Sequence, residues 1–332
     1  MVKDPREPDS SPAWRSPDLE IKIGISACLL GEPVRYDGGH RRDAYITGPF
    51  ARHFTWVPVC PEMELGLGAP RETLRLVGRA DAPRLVATDS GTDLTEAMDT
   101  YARARVGALA AEGLSGYIFK RASPSCGTER VKVYTEAGMP SRIGRGLFAQ
   151  RLMDAYPLLP VEEEGRLSDA RLRDNFLTRV FAYRRLRALV ESGARAKDIV
   201  AFHTAHKFLL LAHSPADCAR LGRLLGSLTR HPRAEWIAHY GEGFMRALAN
   251  MATPRKHVNV LQHSIGFFEE RLSGEEKREV LGLIGDFGRG LVPLTVPITL
   301  VRHHVARLRI AYVADQVYLS PHPKELMLRN HV

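Results

Sequence analysis

The chain has 332 residues, 44% hydrophobic and 26% charged, which excludes a mostly disordered or fibrous protein. At roughly 100–200 residues per domain, two domains are expected, with enough chain to bury a core without disulfide or metal staples. The net charge of +9 is uneven: residues 1–164 hold 21 Lys and Arg against 23 Asp and Glu, whereas residues 165–332 hold 26 against 15, and eleven of the 13 histidines.

Residues 1–18, with Pro5, Pro8, Pro12 and Pro17 among charges and serines, read as a flexible arm without the apolar core of a secretory signal. No apolar run approaches the roughly 20 residues of a membrane-spanning helix. A cytoplasmic protein is expected, its four cysteines (Cys28, Cys60, Cys126 and Cys218) free for packing, catalysis or metal. Residues 21–26 alternate isoleucine with Lys22, Gly24 and Ser26 and predict a strand that leads to Cys28. Residues 55–59 predict a second strand, ending at Cys60-Pro61-Glu62. Residues 74–77 and 84–87 predict a hairpin. Asp93 with Glu96 predicts a capping box opening a helix to Glu112, closed by Gly113. Tyr117-Ile118-Phe119 is the next strand and runs into Lys120 and the Ser123-Pro124-Ser125-Cys126-Gly127 loop. This alternation predicts an α/β domain over residues 19–160 with a largely parallel sheet.

Residues 161–190 are expected to form a linker and connecting helix, the Glu162-Glu163-Glu164 run marking the joint. Leu172, Phe176, Val180, Tyr183, Leu186 and Val190 make one apolar stripe on that helix. Arg173, Arg179, Arg184, Arg185 and Arg187 surround it. Residues 191–332 carry further helical patterns and predict an all-α domain. Its net charge of +11, with that of residues 165–190, fits either a solvated surface or a polyanionic partner.

Each of the first three cysteines follows a predicted strand. In an open parallel sheet, ligands bind outside the carboxyl ends of the strands, so the three thiols are expected to converge. Three thiolates suggest a soft metal or an iron–sulfur cluster, with buried packing cysteines as the alternative. Three protein ligands leave a cluster iron open to substrate, and zinc with three cysteines and a water is the competitor. Cys218 lies mid-helix without a partner cysteine and reads as buried and inert.

The runs Ile25-Ser26-Ala27-Cys28-Leu29-Leu30-Gly31, Val34-Arg35-Tyr36-Asp37-Gly38, Val59-Cys60-Pro61-Glu62 and Ser123-Pro124-Ser125-Cys126-Gly127 resemble the TudS-type thiouracil desulfidases, in family order across about 140 residues. The resemblance implies a catalytic 4Fe-4S cluster on Cys28, Cys60 and Cys126, and removal of sulfur from a thiolated pyrimidine. Phe202-His203-Thr204-Ala205-His206-Lys207, Ala212-His213-Ser214-Pro215, Val292-Pro293-Leu294-Thr295-Val296-Pro297 and the stretch from Ser320 to Leu326 resemble the YbgA-like domain. The fused arrangement resembles tRNA 4-thiouridine desulfidases, which implies a tRNA partner and no membrane; no obligate protein partner is inferred.

Glu62, two residues past a proposed ligand, is the first choice for the acid/base, and Ser123 for a proton relay. Ser125 is a candidate substrate contact or, like Ser26, a hydrogen-bond donor to cluster sulfur. Arg35, Tyr36 and Asp37 are expected to wall the substrate entrance, Tyr36 stacking on a base; Lys120 and Arg121 are placed to meet a phosphate. Arg173, Arg184, Arg185, Arg187, His203, His206 and Lys207 are candidate RNA contacts. The leading reading is desulfuration of 4-thiouridine in tRNA. The alternatives are the same chemistry on free 4-thiouracil or thiouridine, and a non-enzymatic nucleic-acid-binding or stress protein.

Overall fold

The computed structural model describes residues 12–16, 19–135, 137–227 and 232–332. They divide into two compact units, one of residues 20–176 and one of residues 177–332 with the described part of residues 1–19. In chain order the first unit holds β1 (Lys22–Ser26), α1 (Ala44–Thr47), β2 (Thr55–Val59), α2 (Pro61–Glu64), β3 (Leu74–Arg79), β4 (Ala82–Ala87), α3 (Thr95–Glu112), β5 (Gly116–Phe119), β6 (Val131–Tyr134), β7 (Pro140–Gly144), α4 (Leu147–Ala155) and β8 (Val161–Glu163). Helix α5 (Ala170–Glu191) runs across the boundary between the units.

Four strands form an all-parallel sheet in the order β2-β1-β5-β8. Its central strands are buried on both faces, which is why Ile23, Ile25, Tyr117, Ile118 and Phe119 leave so little polar alternation. The chain passes from β1 to β2 on one side, then returns to the other side of β1 for β5. The strand order therefore reverses between β1 and β5, and the loops leaving their carboxyl ends diverge. A second, mixed sheet has the order β4-β3-β6-β7. The expected β3–β4 hairpin is one of its two antiparallel pairs, β6–β7 being the other, and β3 and β6 run parallel. Strands β6 and β7 gave no clear sequence signal, because each is only four or five residues long and β7 is mostly exposed.

Two local expectations are corrected. Asp93 accepts hydrogen bonds from the backbone N–H and hydroxyl of Thr95, so the short turn supplants a capping box with Glu96. Gly113 does close α3 in the left-handed conformation, φ 67°. Residues 161–163 are the edge strand of the parallel sheet, not a linker. The acidic run has structural work there: Glu162 accepts from Arg166, Glu163 from the Thr128 N–H at 2.8 Å, and Glu164 from the Arg121 N–H at 2.8 Å and from Lys120 Nζ.

The second unit is helical: α6 (Ala196–His213), α7 (Pro215–Leu225), α8 (Arg233–Ala249), α9 (Pro254–Ile265), α10 (Gly274–Gly288), α11 (Thr295–Leu308) and α12 (Ala311–Ala314). Helix α6 is its centre, packing on α7, α8 and α9. Phe202, Phe208, Tyr240 and Phe244 are fully buried around it. The Gln316 carboxamide accepts from the Phe208 N–H and donates to the Thr204 carbonyl, joining the far end of the chain to the middle of α6. Most of the expected arm lies outside the described residues, but Trp14 is buried, edge-on to Phe202 with ring centroids 5.1 Å apart, and so is not a flexible element. Among the described residues, no helix is long and apolar enough to cross a membrane.

Gly24, at the centre of β1, sits in register with Tyr117, and a Cβ there would lie 2.2 Å from the Tyr117 ring. The ring is fully buried and stacked on Phe119, so it has nowhere to move. Gly24→Ala is expected to cost about 1–3 kcal/mol through overpacking, read as a lower denaturation midpoint; an unchanged midpoint would show that the sheet centre is slack.

Candidate active site

All three strand-following cysteines arrive at one cavity of about 270 Å³ at the carboxyl edge of the parallel sheet. Cys28 lies in the single 3-10 turn Ala27–Leu30 that continues β1, and Gly31, at φ 99°, ends that turn. Cys60 directly precedes α2, at the end of β2. Cys126 comes from the long loop after β5. That loop is shaped by Ser123, whose hydroxyl oxygen accepts from the N–H groups of Ser125 (3.2 Å) and Cys126 (3.1 Å). Its hydroxyl hydrogen is left for another acceptor. Ser26 Oγ accepts from the Lys120 N–H at 2.9 Å, fixing the loop to β1 across the strand-order reversal. Ala122, at φ 58°, holds a backbone conformation that L-residues rarely adopt. Gly146, just before α4, donates to Gly127 O at 2.8 Å; a Cβ there would lie 2.5 Å from the Ser125 carbonyl carbon.

Cys28 and Cys126 are buried and Cys60 is half-buried. Burial pushes the Cys28 thiol up to about 11, with Cys60 adding to the rise and Lys120 and Arg35 opposing it. Burial also raises Cys60, and raises Cys126 well above ordinary thiols, where Glu62, Cys60 and Cys28 all contribute. The three thiols thus lie close enough to feel one another. Among the described residues, no three His, Cys, Asp or Glu side chains gather around a single-ion position; all three cysteines line the one cavity. The donor set fits a soft, multi-centre cationic group. Thiols bind such a group as thiolates, and its positive charge offsets the burial of three anions.

Glu62 lines the same cavity with both carboxylate oxygens engaged. Oε1 accepts from Ser125 Oγ at 2.9 Å, and Oε2 from Arg71 Nε at 3.1 Å and from its Nη2. Arg71 is itself held: Nη1 donates to Val34 O at 3.1 Å and Gly68 O at 2.6 Å, and its backbone N–H to Tyr36 O at 2.8 Å. One nearly buried guanidinium therefore ties Glu62 to the loop bearing Arg35 and Tyr36. Ser125 is fully buried and does not line the cavity, so it orients Glu62 and does not contact substrate.

The other expected residues divide by burial and pairing. Arg35 and Tyr36 do wall the cavity, the guanidinium 5.2 Å from the ring centroid, and Tyr36 is exposed. Asp37 is on the loop but not on the wall; it accepts from the Gly39 N–H at 3.0 Å, which lowers its pKa. Lys120 lines the cavity and is paired with Glu164. The RNA-contact set fares less well. His206 is fully buried, stacked on Phe202 at 4.0 Å and donating from Nδ1 to Phe202 O; burial holds its pKa well down. His203 is buried near Tyr240 with its pKa pushed down to about 4. Neutral buried imidazoles do not meet phosphate. Arg173 is buried over the Tyr45 ring and donates to Leu167 O. Arg185 donates to Pro321 O, and Arg184 and Arg187 pair with Glu191. Lys207 alone of the set is exposed without a described ion pair. Cys218 is buried, as expected.

Sequence reasoning missed Arg71 and Glu164. Arg71 lies in none of the four motifs, and spacing along a loop says nothing of which carboxylate a side chain will reach.

The molecule thus combines a three-thiol, carboxylate-bearing cavity at the switch point of a parallel sheet with a separate helical unit. Residues 23–164 match a family described as 2-thiouracil desulfurase, and residues 207–323 match one described as a protein of unknown function, DUF1722. The chain belongs to the 2-thiouracil desulfurase family through its α/β unit. Among similar proteins, the uncharacterized protein YbgA of Escherichia coli is 29% identical over 161 residues, 48% of this chain and 95% of YbgA. The uncharacterized protein YbbK of Bacillus subtilis is 34% identical over 112 residues, 32% of this chain and 73% of YbbK. A solved structure of the [4Fe-4S]-dependent thiouracil desulfidase TudS is 31% identical, covering 45% of this chain and 94% of TudS, with a TM-score of 0.37.

Arg71→Met removes the partner of a largely buried carboxylate and is expected to destabilise the protein by about 3 kcal/mol while lowering turnover. Arg71→Lys keeps the charge but not the two-pronged hold on Glu62, and is expected to fall between. Wild-type stability in Arg71→Met, measured by denaturant titration, would show that the pair is dispensable.

Proposed function

We propose that this protein is an iron–sulfur-dependent desulfidase that converts 4-thiouridine in tRNA to uridine. The observation that carries the reading is the convergence of Cys28, Cys60 and Cys126 with Glu62 on one cavity. The family supplies the desulfidase class. The net charge of +11 over residues 165–332 supports a polyanionic substrate over a free base.

Cys28, Cys60 and Cys126 are the residues that would hold the cluster. Bound there, a 4Fe-4S cluster with three protein ligands supplies an open iron that acts as a soft Lewis acid toward a thiocarbonyl sulfur. The net reaction is hydrolysis: one water enters, its oxygen replaces sulfur on carbon 4, and hydrosulfide leaves, with no change in electron count. This chain's residues serve the protons and the orientation. Glu62 takes a proton from the attacking water; Ser125 and Arg71 aim its carboxylate without using all its lone pairs. The free hydroxyl hydrogen of Ser123 is available to the leaving sulfur or the ring nitrogen. Tyr36, exposed on the cavity rim, stacks on the base. A thiolated base within folded RNA reaches the cavity only once unstacked, which sets an extrusion step before chemistry.

The test is anaerobic purification with iron and sulfide assay, then incubation with tRNA containing 4-thiouridine, followed by the loss of its near-ultraviolet absorbance. About four irons per chain, with release of sulfide, is the expected result. Cys28→Ala, Cys60→Ala and Cys126→Ala are each expected to abolish iron binding and turnover, and Cys218→Ala neither. Glu62→Gln is expected to keep the iron and lose about 10²–10⁴-fold in kcat. Turnover of free 4-thiouridine but not of tRNA would move the substrate to the small molecule. A colourless, iron-free and inactive protein would point to the binding-protein reading.

A further inference from the structure

A second groove, of about 550 Å³, opens on the mixed sheet of the α/β unit and shares Thr73, Leu74 and Arg121 with the wall of the cysteine cavity. Its other charged lining is Arg75, Arg130, Lys132 and Arg142, and among the described residues no carboxylate lines it. None of these five cations has an ion-pair partner among the described residues. Several other cations of the unit are paired: Arg71 with Glu62, Arg79 with Asp81, Arg84 with Asp93, Arg103 and Arg151 with Asp99, and Arg105 with Glu64. The sheet register sharpens the contrast. Lys132 on β6 lies directly opposite Arg142 on β7. Arg75 precedes Leu76 as Lys132 precedes Val133, and Leu76 and Val133 are registered partners on β3 and β6. Three cations thus sit side by side on neighbouring strands, an arrangement that opposes folding and that a structural role does not explain. An aromatic in the groove, Tyr134, lies 5.8 Å from the Arg75 guanidinium and offers a ring to an unstacked base.

We propose that this face of the mixed sheet is the track for the RNA backbone flanking the thiolated base, leading the strand into the cysteine cavity. The inference rests on the tRNA reading above and moves part of the binding surface from the helical half to the α/β unit. Phosphates bridging Lys132, Arg142 and Arg75 relieve their mutual repulsion, so the same charges that oppose folding favour the complex. Arg121, common to both cavities, marks where backbone contacts give way to the reacting base.

The experiment uses the full chain and its Lys132→Gln/Arg142→Gln double variant. Turnover is measured on tRNA containing 4-thiouridine and on the free nucleoside 4-thiouridine, and binding is measured to unmodified tRNA across a salt series. The variant is expected to lose about tenfold or more in kcat/KM on tRNA, and to bind tRNA with a salt slope shallower by about 2. It is expected to keep nucleoside turnover within about twofold, with a thermal midpoint equal to or above wild type because a like-charge pair is gone. Equal losses on tRNA and nucleoside, or a lower midpoint, would assign the pair a structural role and overturn the inference. Unchanged tRNA binding and turnover would overturn the groove and leave the tRNA substrate standing. A wild-type protein that converts the nucleoside and ignores tRNA would overturn both.

Discussion

The reversal of strand order between β1 and β5 is the constraint on which the site depends. Loops leaving the carboxyl ends of strands that are wound in opposite directions must part, and the space between them is the cysteine cavity. Cys28 leaves β1, Cys60 leaves β2, and Cys126 returns on the loop from β5, so residues distant in sequence share one edge. The edge strand β8 completes the arrangement by supplying Glu163, and the residue after it Glu164, whose carboxylates take up backbone N–H groups of the β5 loop. A short acidic segment therefore acts as a clamp on the third cysteine motif.

Within that frame the polar groups share the work. Burial raises all three thiols, so three thiolates at this edge are costly by themselves and favourable around a cationic group. Glu62 reaches the cavity because Arg71 and Ser125 restrain it from two sides, and Arg71 carries the restraint on to the loop of Val34 and Tyr36. Ser123 shapes the loop through its oxygen and keeps its hydrogen for chemistry. The positive φ of Ala122 and the close approach of Gly146 show how much local strain and tightness this loop tolerates to bring Cys126 to the edge.

Net charge and available charge part company here. The excess of Lys and Arg lies in residues 165–332, yet Arg173, Arg184, Arg185 and Arg187 are buried or engaged there. The near-neutral half keeps on one groove five cations that have no ion-pair partner among the described residues. A carboxylate cancels an arginine only when the fold brings them together, and summing charges along the chain cannot tell which pairs meet.

Much of the architecture was legible in the residues. Strands at 22–26, 55–59 and 116–119, the β3–β4 hairpin, helix α3 with its Gly113 terminus, and most helices of the second unit follow from hydrophobic period and turn residues, which act over a few positions. So do the placement of each cysteine at a strand end and of Glu62 beside one of them. The short strands β6, β7 and β8 were not legible, because their stability comes from partners far along the chain and not from their own pattern. The same holds for the burial of His203 and His206, the hold of Arg71 on Glu62 and the alignment of Lys132 with Arg142. Local chemistry, which needs only neighbours in sequence, was determined by the sequence read alone. Pairing, burial and register require contacts between distant segments, and only the tertiary structure decided them.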